Sequence, residues 1–433
     1  MRFKIERNDG FFSAELVFFC IVNSNNFNSS NHLDIRNDKS ILIKACRTYN
    51  LVVWLANVGE EKDRLVPSHF KNCTDVFAFA SNVNSVPNAD DYKIGHFAYD
   101  LKNKLEDLVS SNPKRFDFLD RKFFIPEVMA KAEKTGNIQF HNANQERLFK
   151  NLEETQDPLL NLNHVDLKPT LSKEEYIKKV NEIKTHIQLG DVYELNFCMD
   201  HVAENVEMDP VHVFSLLSSE SESPFCVYYK QENLHVISLS PERFMAKRGN
   251  QLYSQPMKGT SKRDDQGLRS DPKERAENIM ITDLVRNDLS KSAKKSTVRV
   301  DELCGVYPFG SVNQMISTVS CELAQGVSSE QAILNAFPMG SMTGAPKVRA
   351  MELIDELEDF SRGIYSGAIG YFAPNGDFDF NVVIRSLIYD SNSKKLSCPT
   401  GSAITIQSDP EKEYDECMLK AQWIKDKLNE LCS

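Results

Sequence analysis

Apolar residues recur at helical spacing in three places, and capping residues or prolines mark where four helices begin. Ser172 with Glu175 has the form of a capping box. Ile177, Val180, Ile183 and Ile187 follow, and Gly190 sits where a C-cap belongs, so the pattern predicts a helix over 172–189. Asp271-Pro272 pairs an N-cap with proline at the first helical position and opens a second helix running to about Lys291. A third follows Pro346 with Val348, Met351, Ile354 and Leu357 on its apolar side. Asp409-Pro410 opens the last, whose stripe is Tyr414, Cys417, Met418, Ala421, Ile424, Leu428 and Leu431. Elsewhere the period shortens to that of strands. Leu51 to Val58 reads as a buried strand, and residues 225–257 alternate in short runs such as Phe225 to Tyr229 and His235 to Leu239. Further strands are expected at about 365–373, 379–389 and 396–407. Asn23 to Asn31 is a polar loop, and Asn142 to Leu171 is polar and broken by Pro158 and Pro169. That second break divides the chain into a mixed first segment, 1–165, and a more clearly punctuated one, 166–433.

Composition narrows the function classes. At 433 residues the chain exceeds the ~250 to 300 at which one core stops growing, which favours two lobes or one large enzyme-like domain. With 62 Asp plus Glu against 51 Lys plus Arg, the net charge is -11, which argues against a nucleic-acid or anionic-membrane partner. The longest apolar stretch, Phe11 to Val22, is interrupted by Ser13 and Glu15 and is too short to span a bilayer. The ten Cys are scattered with no C-x-x-C pair, so the expectation is a soluble cytoplasmic protein with reduced thiols. All nine His lie at or before His235. Chemistry in the second half must therefore use carboxylates, Lys, Tyr or backbone groups.

Several groups there can carry chemistry, each beside an ordinary structural reading. Glu274 with Glu277, and Glu413 with Glu416, put two carboxylates on one helix face, which suits either a hard cation such as Mg²⁺ or plain solvation. Glu416 and Lys420 have the spacing of a helix ion pair, or Lys420 points at an anion beside the metal. Gly340 to Lys347 is a small-residue loop entering a helix, a possible anion cradle that lacks the P-loop pattern because Pro346 removes an amide and no Gly-Lys-Ser/Thr closes it. Lys258 follows a strand-like segment and is either an exposed loop lysine or a nucleophile whose pKa must fall. Glu242, also at a strand end, could act as a general acid or base.

Taken together the motifs say more. Leu189-Gly-Asp-Val-Tyr-Glu-Leu-Asn196, Ser240-Pro-Glu-Arg-Phe244, Gln255-Pro-Met-Lys-Gly-Thr260, the run Arg275 to Asp288, Gly340 to Lys347, Ser366-Gly-Ala-Ile-Gly-Tyr371, Val382-Val-Ile-Arg385 and Ser408 to Tyr414 occur in the order found in chorismate-utilising enzymes. The chain resembles that family over about 170–430, with Gly95 to Asn103 a weaker extension. The resemblance implies an α+β fold in which antiparallel sheets form a two-lobed, sandwich-like core flanked by helices, with the site in the cleft between lobes. It implies Glu277 and Glu416 as Mg²⁺ ligands, Glu274 and Glu413 in the water-mediated shell, and the metal holding the ring carboxylate of chorismate. Arg385 and Tyr365 resemble the pair that binds the enolpyruvyl carboxylate; Ser341, Thr260, Lys420 and the amide of Ala403 resemble further substrate contacts.

Within the family the chain is most similar to the aminating branch, the aminodeoxychorismate synthases. Lys258 stands where anthranilate synthases have Ala, and the resemblance implies that it attacks ring C2 while Glu242 assists departure of the C4 hydroxyl. Glu194 stands where isochorismate and salicylate synthases carry a water-activating Lys, and Gln314 where anthranilate synthases carry a His. Gly401-Ser402-Ala403 replaces a glycine-rich turn, adding side chains where backbone meets substrate, and Met257 replaces the usual Ile. No tryptophan-anchoring Leu-Leu-Glu-Ser-type motif is found in residues 1–60. No Gly-x-Cys-x-Gly glutaminase elbow occurs, so ammonia is expected from a separate glutamine amidotransferase subunit. With no lyase segment after Ser433, the expected product is aminodeoxychorismate itself. The competing readings are an anthranilate synthase component I and a catalytically dead binding partner.

Overall fold

The computed structural model describes residues 39–56, 73–81, 91–133, 138–140, 164–262, 267–309 and 312–431. The apolar run Phe11 to Val22 and the polar loop Asn23 to Asn31 lie outside the described residues, as does most of the boundary 142–171.

Two large antiparallel sheets face each other. The first runs in the order Ile138–Phe140, Val128–Glu133, Cys73–Ala80, Leu51–Ala56, Phe225–Gln231, Leu234–Ser240, Ser386–Asp390, Lys395–Ser397, His201–Ala203 and Lys168–Pro169. The second runs Met257–Lys262, Val312–Glu322, Gln251–Gln255, Arg243–Arg248, Phe378–Asn381, Ala368–Phe372, Lys93–Phe97 and Arg121–Phe124, with Arg299–Phe309 paired to Val312–Glu322. Strand alternation explains the layering. Leu51, Val53 and Leu55 enter the core between the sheets with Phe97, Phe378 and Phe380, while Val52, Trp54 and Ala56 face outward onto a second core under the helix Pro210–Glu220. Strands from before residue 165 and after it share both sheets.

A third, small sheet of Gly344–Ala345, Glu194–Met199 and Thr400–Ile404 packs under the helices Lys173–Leu189, Lys347–Leu357 and Pro410–Glu430. All four expected helices form, Pro272–Ser290 among them. The Ser172–Glu175 capping box is made in both directions and Gly190 is left-handed at φ 84°. Asp271 and Asp409 each accept two backbone amides at their helix starts. One apolar assignment fails: Val348 is exposed, and the third helix buries Ala350, Met351, Leu353, Ile354 and Leu357 instead.

Two expected strands are each divided. The strand expected over 379–389 is Phe378–Asn381 in one large sheet and Ser386–Asp390 in the other. Between them the chain crosses at Val382 to Arg385, where Arg385 takes φ 49°, a conformation that ends strand pairing for a non-glycine residue. The strand expected over 396–407 likewise splits into Lys395–Ser397 and Thr400–Ile404, in different sheets. Burial runs almost unbroken through both crossings, taking in polar residues such as Asn381, Ser386, Ser397 and Thr400 as well as apolar ones, so the residue pattern did not show where one sheet hands over to the other. No helix among the described residues is long and apolar enough to cross a membrane, and the eight described cysteines are all buried and form no disulfide among themselves.

Arg362 and Glu358 fasten the small sheet to its surroundings. Both side chains are 1% exposed, and Arg362 Nη2 donates to Glu358 Oε1 at 2.5 Å. The guanidinium also donates to Met342 O (2.6 Å) and Asn196 O (2.8 Å) and lies over the Tyr99 ring, while Glu358 accepts from the Cys198 amide at 2.8 Å. Removing one partner leaves a buried charge unpaired. Arg362→Ala is therefore expected to cost about 3–5 kcal/mol of unfolding free energy in urea titration, and the double variant Glu358→Leu/Arg362→Met less than the sum of its single changes.

Candidate active site

The residues that carried the sequence motifs converge where the end of the Met257–Lys262 strand, the Pro272–Ser290 helix, the Gly340–Met342 turn, the crossing at Arg385 and the Glu194–Met199 strand meet. Lys258 is not an exposed loop residue. Its side chain is 13% exposed and its Nζ lies 3.3 Å from Glu194 Oε1. Burial works against its charge, but Glu194, Glu277 and Glu242 outweigh that and hold its pKa above the ordinary 10.5. Lys258 at rest is an ammonium, the opposite of the neutral amine that a nucleophile needs.

Backbone geometry fixes where Lys258 points. Asn278, fully buried in the Pro272–Ser290 helix, donates to Lys258 O and to Met315 O, both at 3.1 Å. Gly259 has φ 103°, and a Cβ there would fall 3.1 Å from Met315 Cβ and 3.2 Å from Glu274 Oε2, so only glycine fits directly after the lysine. Asn278 escaped the sequence reading. Its signal was a polar residue within the buried stripe Ile281, Thr282, Val285, Leu289.

Glu242 is 5% exposed and sits across from Ser341. Burial pushes its carboxyl up to about 7, against the opposing effects of Ser341, Lys258 and Arg385. The Ser341 hydroxyl, close enough to act on Glu242, is buried without a hydrogen bond of ordinary geometry, and the two line a cavity of ≈ 10 Å³. Lys347 is no anion ligand: its Nζ is consumed by Asp288 at 2.5 Å and by the carbonyls of Ala336 and Pro338 at 2.9 and 2.7 Å. The Gly340–Lys347 loop is thus locked by its own lysine, and what it offers the site is Ser341.

The paired glutamates are not simply solvated helix faces. Glu413 is buried, the Glu277 side chain is 17% exposed and Glu274 is half-buried, whereas Glu416 is 52% exposed. Burial, with Glu274 and Glu194 nearby, raises Glu277 to about 6 despite Lys258 and Lys273. Burial first, with Asp271 and Glu416 adding, raises Glu274, so the two helices bring their carboxylates into electrostatic reach of each other. Lys420 makes the ion pair its spacing suggested, 2.7 Å to Glu416 Oε1, and outweighs the burial of Glu416 to lower its pKa; Lys420 also donates to Gly401 O at 2.7 Å. Among the described residues, no three His, Cys, Asp or Glu side chains converge closely enough to hold a metal by themselves.

On the remaining side, Arg385 is half-buried, and burial lowers its pKa. Among the described residues it has no carboxylate within ion-pair distance. Thr260 lies opposite Gln314 across the strand pair. Tyr365 is buried in the core, interacting with Cys198. Ala403 pairs with Asn196, and Gly401, where a Cβ would meet Cys198 Sγ at 2.5 Å, is required for the close approach of that strand. The extra side chain of Ser402 points the other way, toward the Tyr176 hydroxyl at 3.2 Å, so it does not crowd the site. Met257 packs with Phe309 and Ile316. The histidines His96, His201 and His235 are buried in the sheets and held neutral by burial, with pKa values of about 4, 4 and 3.

Because burial raises Glu242 from 4.5 to about 7, its ionised form costs stability above pH 7 and nothing below 4.5. Glu242→Gln is accordingly expected to raise unfolding free energy at pH 8 by up to about 3 kcal/mol, the gain fading as pH falls through 7 toward 4.5. Denaturant titrations at several pH values check this; a gain that grows at low pH contradicts it.

Residues 47–426 match the chorismate binding enzyme family. The aminodeoxychorismate synthase component 1 of Klebsiella aerogenes is 38% identical over 267 residues, 60% of this chain and 58% of that protein. The chloroplastic aminodeoxychorismate synthase of Arabidopsis thaliana is 34% identical over 322 residues, 70% of this chain and 35% of that protein. The chain thus matches between about a third and three fifths of the length of these relatives. Among solved structures, anthranilate synthase component I from Streptococcus pneumoniae superposes with a TM-score of 0.69 at 26% identity, covering 79% of this chain and 83% of that one. The α+β architecture is that of chorismate-utilising enzymes, and the chain belongs to the chorismate binding enzyme family.

Proposed function

We propose that the chain aminates chorismate at C4 to give 4-amino-4-deoxychorismate, with ammonia supplied by a separate glutamine amidotransferase subunit. The observation that carries this reading is Lys258, largely buried, 3.3 Å from Glu194 and in electrostatic reach of Glu242, which feels Arg385 as well. The component 1 name of the bacterial relative supports a partner subunit.

Lys258 first gives its proton to Glu194, 3.3 Å away. Its Nζ then forms a bond to ring C2, both conjugated ring double bonds shift by one position (C1=C2 to C1=C6 and C5=C6 to C4=C5), and the C4–O bond breaks. Glu242, whose pKa of about 7 keeps it substantially protonated near neutrality, donates that proton so that the hydroxyl leaves as water. Ammonia attacks C4, both double bonds shift back to their original places, and the C2–N bond breaks with its electron pair going back to Lys258. The new ammonium at C4 returns a proton to Glu242, and Glu194 returns its proton to Lys258. Chorismate and ammonia are consumed, the product and water are formed, and the enolpyruvyl side chain is kept. Arg385 and Tyr365 bind the enolpyruvyl carboxylate in this reading, with Thr260, Ser341, Lys420 and the Ala403 amide contacting the rest of the substrate.

A divalent cation fits the donor set, because Glu277 is raised by burial and by its own carboxylate neighbours, a repulsion that bound positive charge relieves. Glu277 and Glu416 would hold Mg²⁺ with Glu274 and Glu413 through water, and substrate oxygens would complete the shell, in keeping with the few protein carboxylates this ion needs. When bound, it supplies charge to anchor the ring carboxylate. Glu277→Gln and Glu416→Gln are each expected to raise the Mg²⁺ concentration needed for half-maximal rate; an unchanged requirement in both removes this assignment.

The likeness to an anthranilate synthase favours a second reading, elimination of pyruvate to give anthranilate. Incubation with chorismate, Mg²⁺ and ammonium separates the two. The expected product becomes para-aminobenzoate only after a lyase is added, and fluorescent anthranilate without a lyase overturns the amination reading. Lys258→Ala is expected to lose amination by about 100-fold or more while still binding chorismate, and mass spectrometry of the native protein with substrate to show an adduct at Lys258. A fully active alanine variant removes the nucleophile role.

A further inference from the structure

Gln314 is 2% exposed on the Val312–Glu322 strand, directly opposite Thr260. Its amide faces three groups at once. With its oxygen toward Arg385 Nη2 at 3.2 Å, its nitrogen donates to Thr260 Oγ1 at 2.9 Å and to Gly259 O at 3.3 Å. Turned the other way, the amide would set its own N–H groups against a guanidinium that has only donors, and its oxygen against the Gly259 carbonyl, so the first orientation is the satisfied one.

The partner matters because of what Arg385 lacks. No carboxylate lies within ion-pair distance of its guanidinium among the described residues, and its backbone is held at φ 49° at the crossing between the large sheets. A neutral amide can fix the direction of a guanidinium without cancelling its charge, whereas a carboxylate would do both. The same amide joins Arg385 to Thr260 and to the carbonyl of Gly259, one residue after Lys258. One buried side chain therefore sets the spacing between the anion-receiving group and the strand that carries the lysine.

We infer that Gln314 is a positioning residue that holds Arg385, through the amide bridge to Thr260 and Gly259, in the orientation that receives a substrate carboxylate. This rests on the reading above that Arg385 binds a carboxylate of chorismate. Substrate binding should then depend on Gln314 more than turnover does. It also follows that the amide, rather than the size of the side chain, is what the position requires.

Steady-state kinetics of the full chain with chorismate, Mg²⁺ and ammonium test this. Gln314→Leu keeps the volume and removes all three polar contacts, so KM for chorismate is expected to rise about tenfold with kcat changed less. Gln314→Glu keeps the shape but pairs its charge with Arg385, and KM is expected to rise at least as far, the competing carboxylate having to be displaced. Should the leucine variant fail to fold, as judged by its thermal melt, the glutamate variant decides the matter alone. Unchanged KM in the folded variants, or a fall confined to kcat, overturns the inference. Arg385→Ala separates it from the reading beneath it. If that change raises KM while the Gln314 variants do not, only the role of Gln314 fails; if Arg385→Ala leaves KM unchanged, the carboxylate reading itself fails and takes the inference with it.

Discussion

The buried pair Arg362 and Glu358 is the constraint on which the site depends. A guanidinium taken wholly out of water must have every donor satisfied. Arg362 meets that demand by reaching the turn that carries Ser341, through Met342 O, and the strand that carries Glu194, through Asn196 O. Glu358 closes the arrangement on the Cys198 amide, and the Tyr99 ring covers the cation. Two walls of the site, far apart in sequence, are thereby held to one small sheet by a single charge that cannot afford to lose a partner. Such a pair contributes modest net stability, but it makes departures from this arrangement costly.

The second organising feature is the crossing at Val382 to Arg385. It hands the chain from one large sheet to the other and places a cation where strand pairing stops. Among the described residues Arg385 has no carboxylate within ion-pair distance and feels only the charge of Glu242, while Lys258 faces Glu194, Glu277 and Glu242, so the two cations are tuned differently by their surroundings. One keeps its charge available to an anion. The other is stored as an ammonium next to the carboxylate nearest to it, Glu194. Glu242, raised by burial to about 7, adds a proton donor to the same space. An acidic chain can in this way present positive charge to a small dianion, since what counts is the local balance and not the net charge of -11.

Helices were legible because their signals are local. Ser172 and Glu175 satisfy each other's backbone within one turn, and Asp271 and Asp409 cap their own helices, so no distant residue was needed to read them. The divided strands at 379–389 and 396–407 were not legible, because almost every residue of each segment is buried, polar or apolar, and which sheet a strand joins is set by partners distant in the chain. Lys258, Glu242, Ser341 and Arg385 were found through motif order, yet the motif did not say that Lys258 rests as an ammonium or that Lys347 is spent on Asp288 and two carbonyls. Asn278 was missed for the same reason: its partners, Lys258 O and Met315 O, lie 20 and 37 residues away.

Helix starts, the residue types available for chemistry once histidine is absent after His235, and the family were all readable from the order of residues, since these depend on neighbours in the chain or on the order of motifs. Tertiary structure alone decided which sheet each strand joins, which charges face one another, and which polar groups are already satisfied. Charge and hydrogen bonding act through distances in space, and those distances exist only after the sheets have closed on their shared core.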